Sequence, residues 1–359
     1  MTRPIIFVDA NTVWHRRLAQ ALAESGPAVA VNPRGGIWPN TRRGTDGPLT
    51  EVAIDLPRGW ASATAFLGQR LLYRQIHREA RAIGGAPLVM LTSPAYAPLA
   101  RLLAGEFPIV SYTADDYRSY SGWGGAAVAV KERQIHQLAD LSVFVSESLR
   151  ARAVGEFALD PARTCVSPNA TEHRFAQRDP GALLPELAGR PGPVVGIIGA
   201  LTDRLDCAAL AEVAASPKVG TFLVAGPAAD DVRAQYPAFN SEKCVITGFL
   251  DHAQMHRYAQ ALDLALIPYA RGALNHHCSP MRLYDHLATG VPILALSGCD
   301  QIDQGDWPGV EVTEPELFRC RAESLVDAGL PRPRNSRPDY FWDFRSSALR
   351  DVLEKAISQ

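Results

Sequence analysis

The chain lacks the features that mark secreted, membrane-spanning or nucleic-acid-binding proteins. Its six cysteines, Cys165, Cys207, Cys244, Cys278, Cys299 and Cys320, are scattered with no CxxC pair. That spacing suggests neither a zinc knuckle nor a disulfide framework, and a reducing cytoplasm fits it. No apolar run approaches the roughly 18 to 20 residues of a membrane span. The start, Met1-Thr-Arg-Pro-Ile-Ile-Phe-Val-Asp9, has no long apolar segment with a small-residue cleavage site and reads as a first buried strand rather than a secretory signal. The formal net charge of -2 argues against a general nucleic-acid binder, for which a strongly basic domain is expected. No Asp-x-Asp metal motif, short repeat or low-complexity tract occurs.

What is present is a globular composition, 47% hydrophobic and 21% charged, over 359 residues. That length exceeds one ordinary core and favours two domains. The charge is uneven. Residues 1–175 hold nineteen Lys and Arg against fifteen Asp and Glu, and residues 176–359 hold seventeen against twenty-three, a balance of +4 and -6. The basic half suits an acidic acceptor or an anionic membrane surface, with ordinary scatter as the alternative. The stretch Trp60 to Ile83 mixes Phe66, Leu71, Leu72 and Tyr73 with Arg70, Arg74, Arg78 and Arg81. Such a helix either lies on anionic lipid or packs as an ordinary surface helix.

Short apolar runs alternate with helical stretches, the pattern of parallel sheets in α/β domains. Strands are expected at Ile5 to Val8, Val29 to Val31, Leu88 to Leu91, Ile109 to Tyr112 and Leu141 to Val145, with helices at Arg16 to Glu24 and Ala65 to Ile83. A Pro- and Gly-punctuated stretch, Leu183 to Pro193, reads as a linker. Beyond it strands are expected at Val194 to Ile198, Thr221 to Ala225, Val245 to Thr247, Leu264 to Ile267 and Ile293 to Leu296. Helices are expected near Asp206 to Ala215, His252 to Leu262 and Pro280 to Thr289. The Arg-rich Pro331 to Pro338 reads as a surface loop before a last helix, Phe341 to Ile357. The expected domains are residues 1–180 and 193–340, with 341–359 crossing back to the first.

The most informative segment is Ser279-Pro-Met-Arg-Leu-Tyr-Asp-His-Leu-Ala-Thr-Gly-Val-Pro-Ile293. Ser279 is expected as helix N-cap, Pro280 at the first helical position, Met281 and Arg282 in the first turn, and Gly290 as terminator. A helix start attracts phosphate through its free N–H groups, and Arg282 adds a charge-assisted donor. Asp285, about one turn on, can accept from sugar or ribose hydroxyls. Gly199, with no side chain, allows backbone to approach a diphosphate. Arg204 either adds charge there or pairs locally with Asp203 and Asp206. Phe249 and Leu250 follow a strand end, where ligands bind in open parallel sheets, and either flank a nucleobase or belong to the core. Tyr269 follows Pro268 at another strand end. In the first half, Tyr112-Thr-Ala-Asp-Asp-Tyr117 leaves a strand with two adjacent carboxylates, Asp115 and Asp116. Trp14 and His15 follow the first strand and are candidate acceptor contacts. Glu132 is expected on a solvated helix face, with a cleft-facing position as the alternative.

The helix segment resembles the nucleotide-sugar helix of the GT-B glycosyltransferases, especially bacterial exopolysaccharide enzymes with a Ser-Pro-x-Lys/Arg-x-x-Glu-x-x-Ala-x-Gly-x-Pro pattern. Four further segments agree in order and spacing: Ala139 to Ser146, Ser167 to Phe175, Gly199 to Arg204 and Gly248 to Tyr269. The chain departs from the retaining members, which carry two glutamates eight positions apart, by having His277 and Asp285 there. Ala170 replaces a usual Gly, which keeps the same path only if that backbone avoids positive φ. The acidic loop resembles that of the inverting glucuronosyltransferase of xanthan assembly, whose second acidic position matches Asp116.

The resemblance implies two Rossmann-like, doubly wound domains facing a cleft, with the donor in the second and the acceptor in the first. It implies transfer of a hexosyl group from a nucleotide diphosphate sugar, UDP favoured and GDP or TDP admissible, to a hydroxyl of a glycan, lipid-linked or small-molecule acceptor. No metal cofactor is expected, because the helix dipole and arginines can neutralise the leaving diphosphate. The expected mechanism is inversion with Asp116 as general base, with retention as the alternative. A nucleotide-sugar epimerase and a non-catalytic sugar-binding protein are the rival readings. A dehydrogenase is weaker, since Val195-Gly-Ile-Ile-Gly199 completes only part of GxGxxG. The expected place is the cytoplasm, with peripheral contact at the inner face of the membrane.

Overall fold

The computed structural model describes residues 2–37, 39–57, 59–60, 65–120, 124–177, 184–329, 332 and 337–357. The chain divides into two compact units, Met1–Asn169 with Trp342–Gln359, and Ala170–Phe341.

In unit 1 the strands are β1 (Ile5–Val8), β2 (Ala28–Gly36), β3 (Asn40–Asp46), β4 (Leu49–Pro57), β5 (Leu88–Leu91), β6 (Ile109–Thr113), β7 (Leu141–Phe144) and β8 (Thr164–Val166). They form one sheet in the order β3-β4-β2-β1-β5-β6-β7-β8, parallel except for the edge pair β3 and β4. β1 and β5 are buried at every residue, as parallel strands covered on both faces must be. Their uninterrupted apolar runs are what made them readable. β3 was not expected, because Asn-Thr-Arg-Arg-Gly-Thr-Asp is polar and almost wholly exposed. Such an edge strand carries no alternating pattern.

In unit 2 the strands are β9 (Val194–Ile198), β10 (Thr221–Ala225), β11 (Cys244–Ile246), β12 (Leu264–Ile267), β13 (Ile293–Leu296) and β14 (Val310–Thr313). Their order, β11-β10-β9-β12-β13-β14, is wholly parallel. This is the doubly wound arrangement in which the strand order reverses between the first and fourth strands, β9 and β12. Ligands bind outside the carboxyl ends of strands at such a reversal. The reversal in unit 1 lies between β1 and β5, so Asp9 and Thr92 stand at its carboxyl edge, as Gly199 and Pro268 do in unit 2.

The compact units divide at Asn169, ahead of the Pro- and Gly-rich stretch read as a linker. Thr171 donates its N–H to Tyr340 O at 2.7 Å, and Phe175 and Leu184 lie in the unit 2 core, so residues 170–177 already belong to the second unit. Residues 178–183, and most of the expected loop Pro331 to Pro338, lie outside the described residues. Ala170 is fully buried and is not among the positive-φ residues, so the condition for replacing glycine there is met. No described helix is long and apolar enough to cross a membrane.

The last helix, Trp342–Ile357, groups with unit 1 and is held by one buried arginine. Arg350 donates from Nη2 to Leu22 O at 2.6 Å, from Nη1 to Arg3 O at 3.0 Å and from Nε to Ser25 Oγ at 2.9 Å. Leu22 is in the last turn of the helix Val13–Glu24, where carbonyls have no intrahelical donor. Burial lowers the Arg350 pKa from its ordinary value, and the three acceptors offset that cost. Arg350→Met keeps much of the volume and removes the donors. It is expected to cost about 1.5 to 3 kcal/mol, the range for hydrogen bonds to a charged group, read as a lower urea midpoint. An unchanged midpoint would show that the helix is held by packing alone.

Candidate functional site

The unit 2 site is built at the reversal of its sheet. Gly199 follows β9 with φ 93, a left-handed value that favours glycine. A Cβ there would stand 3.0 Å from Arg282 Nη2, so the missing side chain also makes room for the guanidinium. The loop that follows is laced to the end of β12: Asp206 N–H donates to Pro268 O at 2.8 Å and Ala270 N–H to Arg204 O at 3.0 Å. Arg204 reaches across the site to a residue far along the chain. Its Nε and Nη2 donate to Asn275 Oδ1 at 3.2 and 3.1 Å, and Asn275 Nδ2 donates back to Arg204 O at 2.8 Å. Asp206 instead caps the next helix, accepting from Ala209 N–H at 2.9 Å.

The helix carrying Arg282 runs Met281–Thr289. Its N-cap position is Pro280, with ψ 114 and no side-chain cap bond, which corrects the expectation that Ser279 would cap and Pro280 would open the helix. Proline's fixed φ suits either place, and here an extended ψ holds it outside. Gly290 ends the helix at φ 69 and its N–H reaches His286 O and Leu287 O. The Arg282 guanidinium lies 5.3 Å from the Tyr269 ring centroid. Its Nη1 is buried with no hydrogen-bond partner among the described residues. A buried donor of a cation left unpaired is costly, and an anion there would satisfy it.

Asp285 is buried, and its Oδ1 accepts from the Thr171 hydroxyl, a tie to the Ser167 to Phe175 segment that spacing did not reveal. His286, one turn on from Arg282, is fully buried, and both ring nitrogens lack partners among the described residues. Burial first, and the Arg282 charge second, hold its pKa down at about 3, so it stays neutral near pH 7. Phe249 is 93% exposed, which rules out core for that ring, whereas Leu250 is half-buried against the unit 2 core. Burial raises the Tyr269 hydroxyl above its ordinary range.

The unit 1 edge carries a denser polar cluster. Asp9, which the sequence reading passed over, has φ 72, an uncommon value for a residue with a side chain. Its carboxylate accepts from Tyr96 Oη at 2.8 Å and Asn11 Nδ2 at 2.7 Å. Just beyond, the His15 ring contacts Trp14, Tyr112 and Phe7 with centroids 5.9, 5.7 and 6.1 Å apart. Trp14 Nε1 and Tyr112 Oη are buried without a hydrogen-bond partner among the described residues, while the buried His15 ring leans on the Asp9 backbone. Burial holds the His15 pKa down at about 3.

The paired carboxylates take different partners. Asp115 Oδ2 accepts from Tyr120 Oη at 2.7 Å, and its Oδ1 from Asp116 N–H at 3.0 Å. Asp116 is buried, with Arg152 Nη1 and Nη2 at 2.8 and 2.7 Å from its two oxygens and the Ser119 hydroxyl on one of them. Burial alone would raise its pKa, but the Arg152 and Ser119 bonds bring it down to about 2. A carboxylate so held accepts a proton poorly, which weighs against the base role expected for Asp116. Glu132 is buried rather than solvated. Its Oε2 lies 3.2 Å from Arg118 Nε without hydrogen-bond alignment, and Arg118 also meets Glu156. Burial raises the Glu132 pKa from 4.5 to about 7 against the pull of Arg118 and Arg152.

The comparisons with known proteins agree with this architecture. Sucrose-phosphate synthase from Thermosynechococcus elongatus superposes with a TM-score of 0.72 at 14% identity, covering 99% of each chain. Anabaena Alr3699/HepE in complex with UDP gives 0.62 at 13% identity, over 99% of this chain and 100% of that one. The fold is GT-B. A stretch of 112 residues is 31% identical to TuaH of Bacillus subtilis (strain 168), whose name assigns it to glycosyl transfer in teichuronic acid biosynthesis. That match spans 31% of this chain and 28% of the relative's length. No protein-family model matches the chain. Among the described residues no group of three or more His, Cys, Asp and Glu is placed to hold a metal ion.

The charge cluster of the GT-B unit 1 yields a pH prediction. A carboxyl whose folded pKa is raised contributes stability that is full below its unfolded pKa and lost as pH rises through the folded one. For Glu132 the window is 4.5 to about 7. Glu132→Gln is expected to gain thermal stability relative to the parent as pH rises through that window. Parallel midpoints of the two proteins from about pH 4.5 to 8 would contradict this.

Proposed function

We propose that the chain is a glycosyltransferase that moves a hexosyl group from a UDP-sugar to an acceptor hydroxyl. The observation that carries the donor assignment is the buried, unpartnered Nη1 of Arg282 beside Gly199 at the reversal of the unit 2 sheet. The UDP bound in the Anabaena relative of the same fold supports the choice of nucleotide. In this reading Arg282 and the first N–H groups of the Met281–Thr289 helix hold the diphosphate, with Gly199 leaving room for its approach and Ser279 and Pro280 shaping it. Arg204 stiffens the loop through Asn275 and adds charge. Phe249 and Leu250 lie toward the base, and Asp285, oriented by Thr171, toward the sugar or ribose. No metal is invoked, because the guanidinium and the helix start can take up the charge of the leaving group. The acceptor is assigned to the unit 1 edge, where Trp14 Nε1 and Tyr112 Oη, beside His15, offer polar atoms without partners among the described residues. A glycan, a lipid-linked sugar or a small molecule satisfies that chemistry, in the cytoplasm where UDP-sugars are made.

The ion pair on Asp116 favours the retaining alternative over inversion with Asp116 as base. If the leaving phosphate oxygen takes the acceptor proton, attack comes from the face that the phosphate leaves, and the anomeric configuration is kept without a protein carboxylate. Asp116 then positions Arg152 and the loop Asp115 to Tyr120. Asp116→Asn is expected to lower stability by about 3 kcal/mol, the low end for breaking a buried pair. A normally folded Asp116→Asn protein whose turnover alone falls by roughly 10² to 10⁴, with an inverted product, would restore the base role.

Arg282→Ala is expected to weaken UDP binding by about 1.5 to 3 kcal/mol, measured by calorimetry. Unchanged affinity would remove the donor placement. Conversion of the donor sugar with no acceptor present would favour an epimerase, and sugar affinity with neither transfer nor conversion a binding protein.

A further inference from the structure

The helix Ala65–Ile83 has two faces of different chemistry. Leu72, Gln75, Ile76 and Glu79 are buried on the side packed against the sheet. Arg70, Arg74, Arg78 and Arg81 are all exposed, and at 100° per residue they fall within a sector of about 80° on the opposite side. None of the four makes an ion pair with a described residue. The one carboxylate of the helix, Glu79, points to the buried side, where Arg43 Nη1 at 2.6 Å and Gln75 Nε2 at 2.8 Å hold it. Among the described residues, no carboxylate neutralises this row of positive charge, which runs along roughly 16 Å, eleven residues at 1.5 Å each. At its N-terminal end Phe66 and Leu67 are 67% and 53% exposed, and the Arg70 guanidinium lies 4.2 Å from the Phe66 ring centroid.

We propose that this arginine row, with Phe66 and Leu67 ahead of it, docks the protein on an anionic phospholipid bilayer. This goes beyond the glycosyl transfer proposed above and stands independently of it. The charge complementarity selects an anionic partner, and the two exposed apolar side chains at one end select one with an apolar interior. A basic face that ends in aromatic and aliphatic side chains lies in the plane of a membrane with those side chains below the headgroups. A soluble polyanion would use the arginines and leave Phe66 and Leu67 in water.

The test is sedimentation of the full chain with vesicles of phosphatidylglycerol and phosphatidylcholine, or of phosphatidylcholine alone. Binding is expected only to the anionic vesicles, and it should weaken as salt rises above roughly 0.1 M, where screening reaches across about 10 Å. Each arginine near such a surface is worth about 1 kcal/mol, or about fivefold. The variant with Arg70→Gln, Arg74→Gln, Arg78→Gln and Arg81→Gln should therefore lose on the order of several hundredfold in partitioning. These residues are exposed, so the far-ultraviolet dichroism should not change. Phe66→Ser with Leu67→Ser should weaken vesicle binding and leave binding to soluble polyphosphate unaltered. Three results would overturn the proposal: recovery of the parent protein in the supernatant with anionic vesicles at low salt, an equal loss in a control with Arg319→Gln and Arg321→Gln, or vesicle binding indifferent to the Phe66 and Leu67 changes.

Discussion

Strands of a parallel sheet are buried on both faces, so they have no side available for polar chemistry, and charged or hydrogen-bonding groups collect in the loops at their ends. Both GT-B units obey this constraint, and the candidate site follows from it. In unit 2 the reversal between β9 and β12 brings Gly199, Tyr269 and the Met281–Thr289 helix together. The Arg282 guanidinium is enclosed there by an aromatic ring and a glycine backbone, neither of which satisfies its free donor. In unit 1 the same constraint gathers Asp9, His15, Tyr112, Asp115 and Asp116 at one carboxyl edge, where most of the carboxylates are taken up by neighbours.

The two edges differ in how their polar groups are satisfied. The aspartate loop of unit 1 is internally closed: Arg152 and Ser119 bind Asp116, Tyr120 binds Asp115, and Tyr96 binds Asp9. Closed networks hold a loop in one shape. Among the described residues, Trp14 Nε1 and Tyr112 Oη of the aromatic cluster are left open, and these suit neutral hydroxyls better than a charged ligand. In unit 2 the open group is a cation.

Adjacent carboxylates after a strand draw attention to a loop, and Asp115 and Asp116 do lie at the carboxyl edge of the unit 1 sheet. That pattern did not show which side chains would be free. Arg152 lies thirty-six residues from Asp116 in sequence, on a helix with no pattern that singles it out, and its two hydrogen bonds change a candidate base into a held anion. Glu132 shows the converse: on a helix that reads as ordinary and solvated, it is buried beside Arg118 and its pKa lies near neutrality.

The sequence by itself determined the doubly wound units, because fully buried strands demand uninterrupted apolar runs such as Ile5–Val8 and Leu264–Ile267. It also marked Gly290 as a helix stop and singled out Gly199, and at both the backbone takes a positive φ that favours glycine. Only the tertiary structure decided which polar groups are satisfied. Hydrogen bonds such as Thr171 to Asp285 and Arg204 to Asn275 join residues 114 and 71 positions apart. No local period encodes such pairs, because they depend on which loops the sheet order brings side by side.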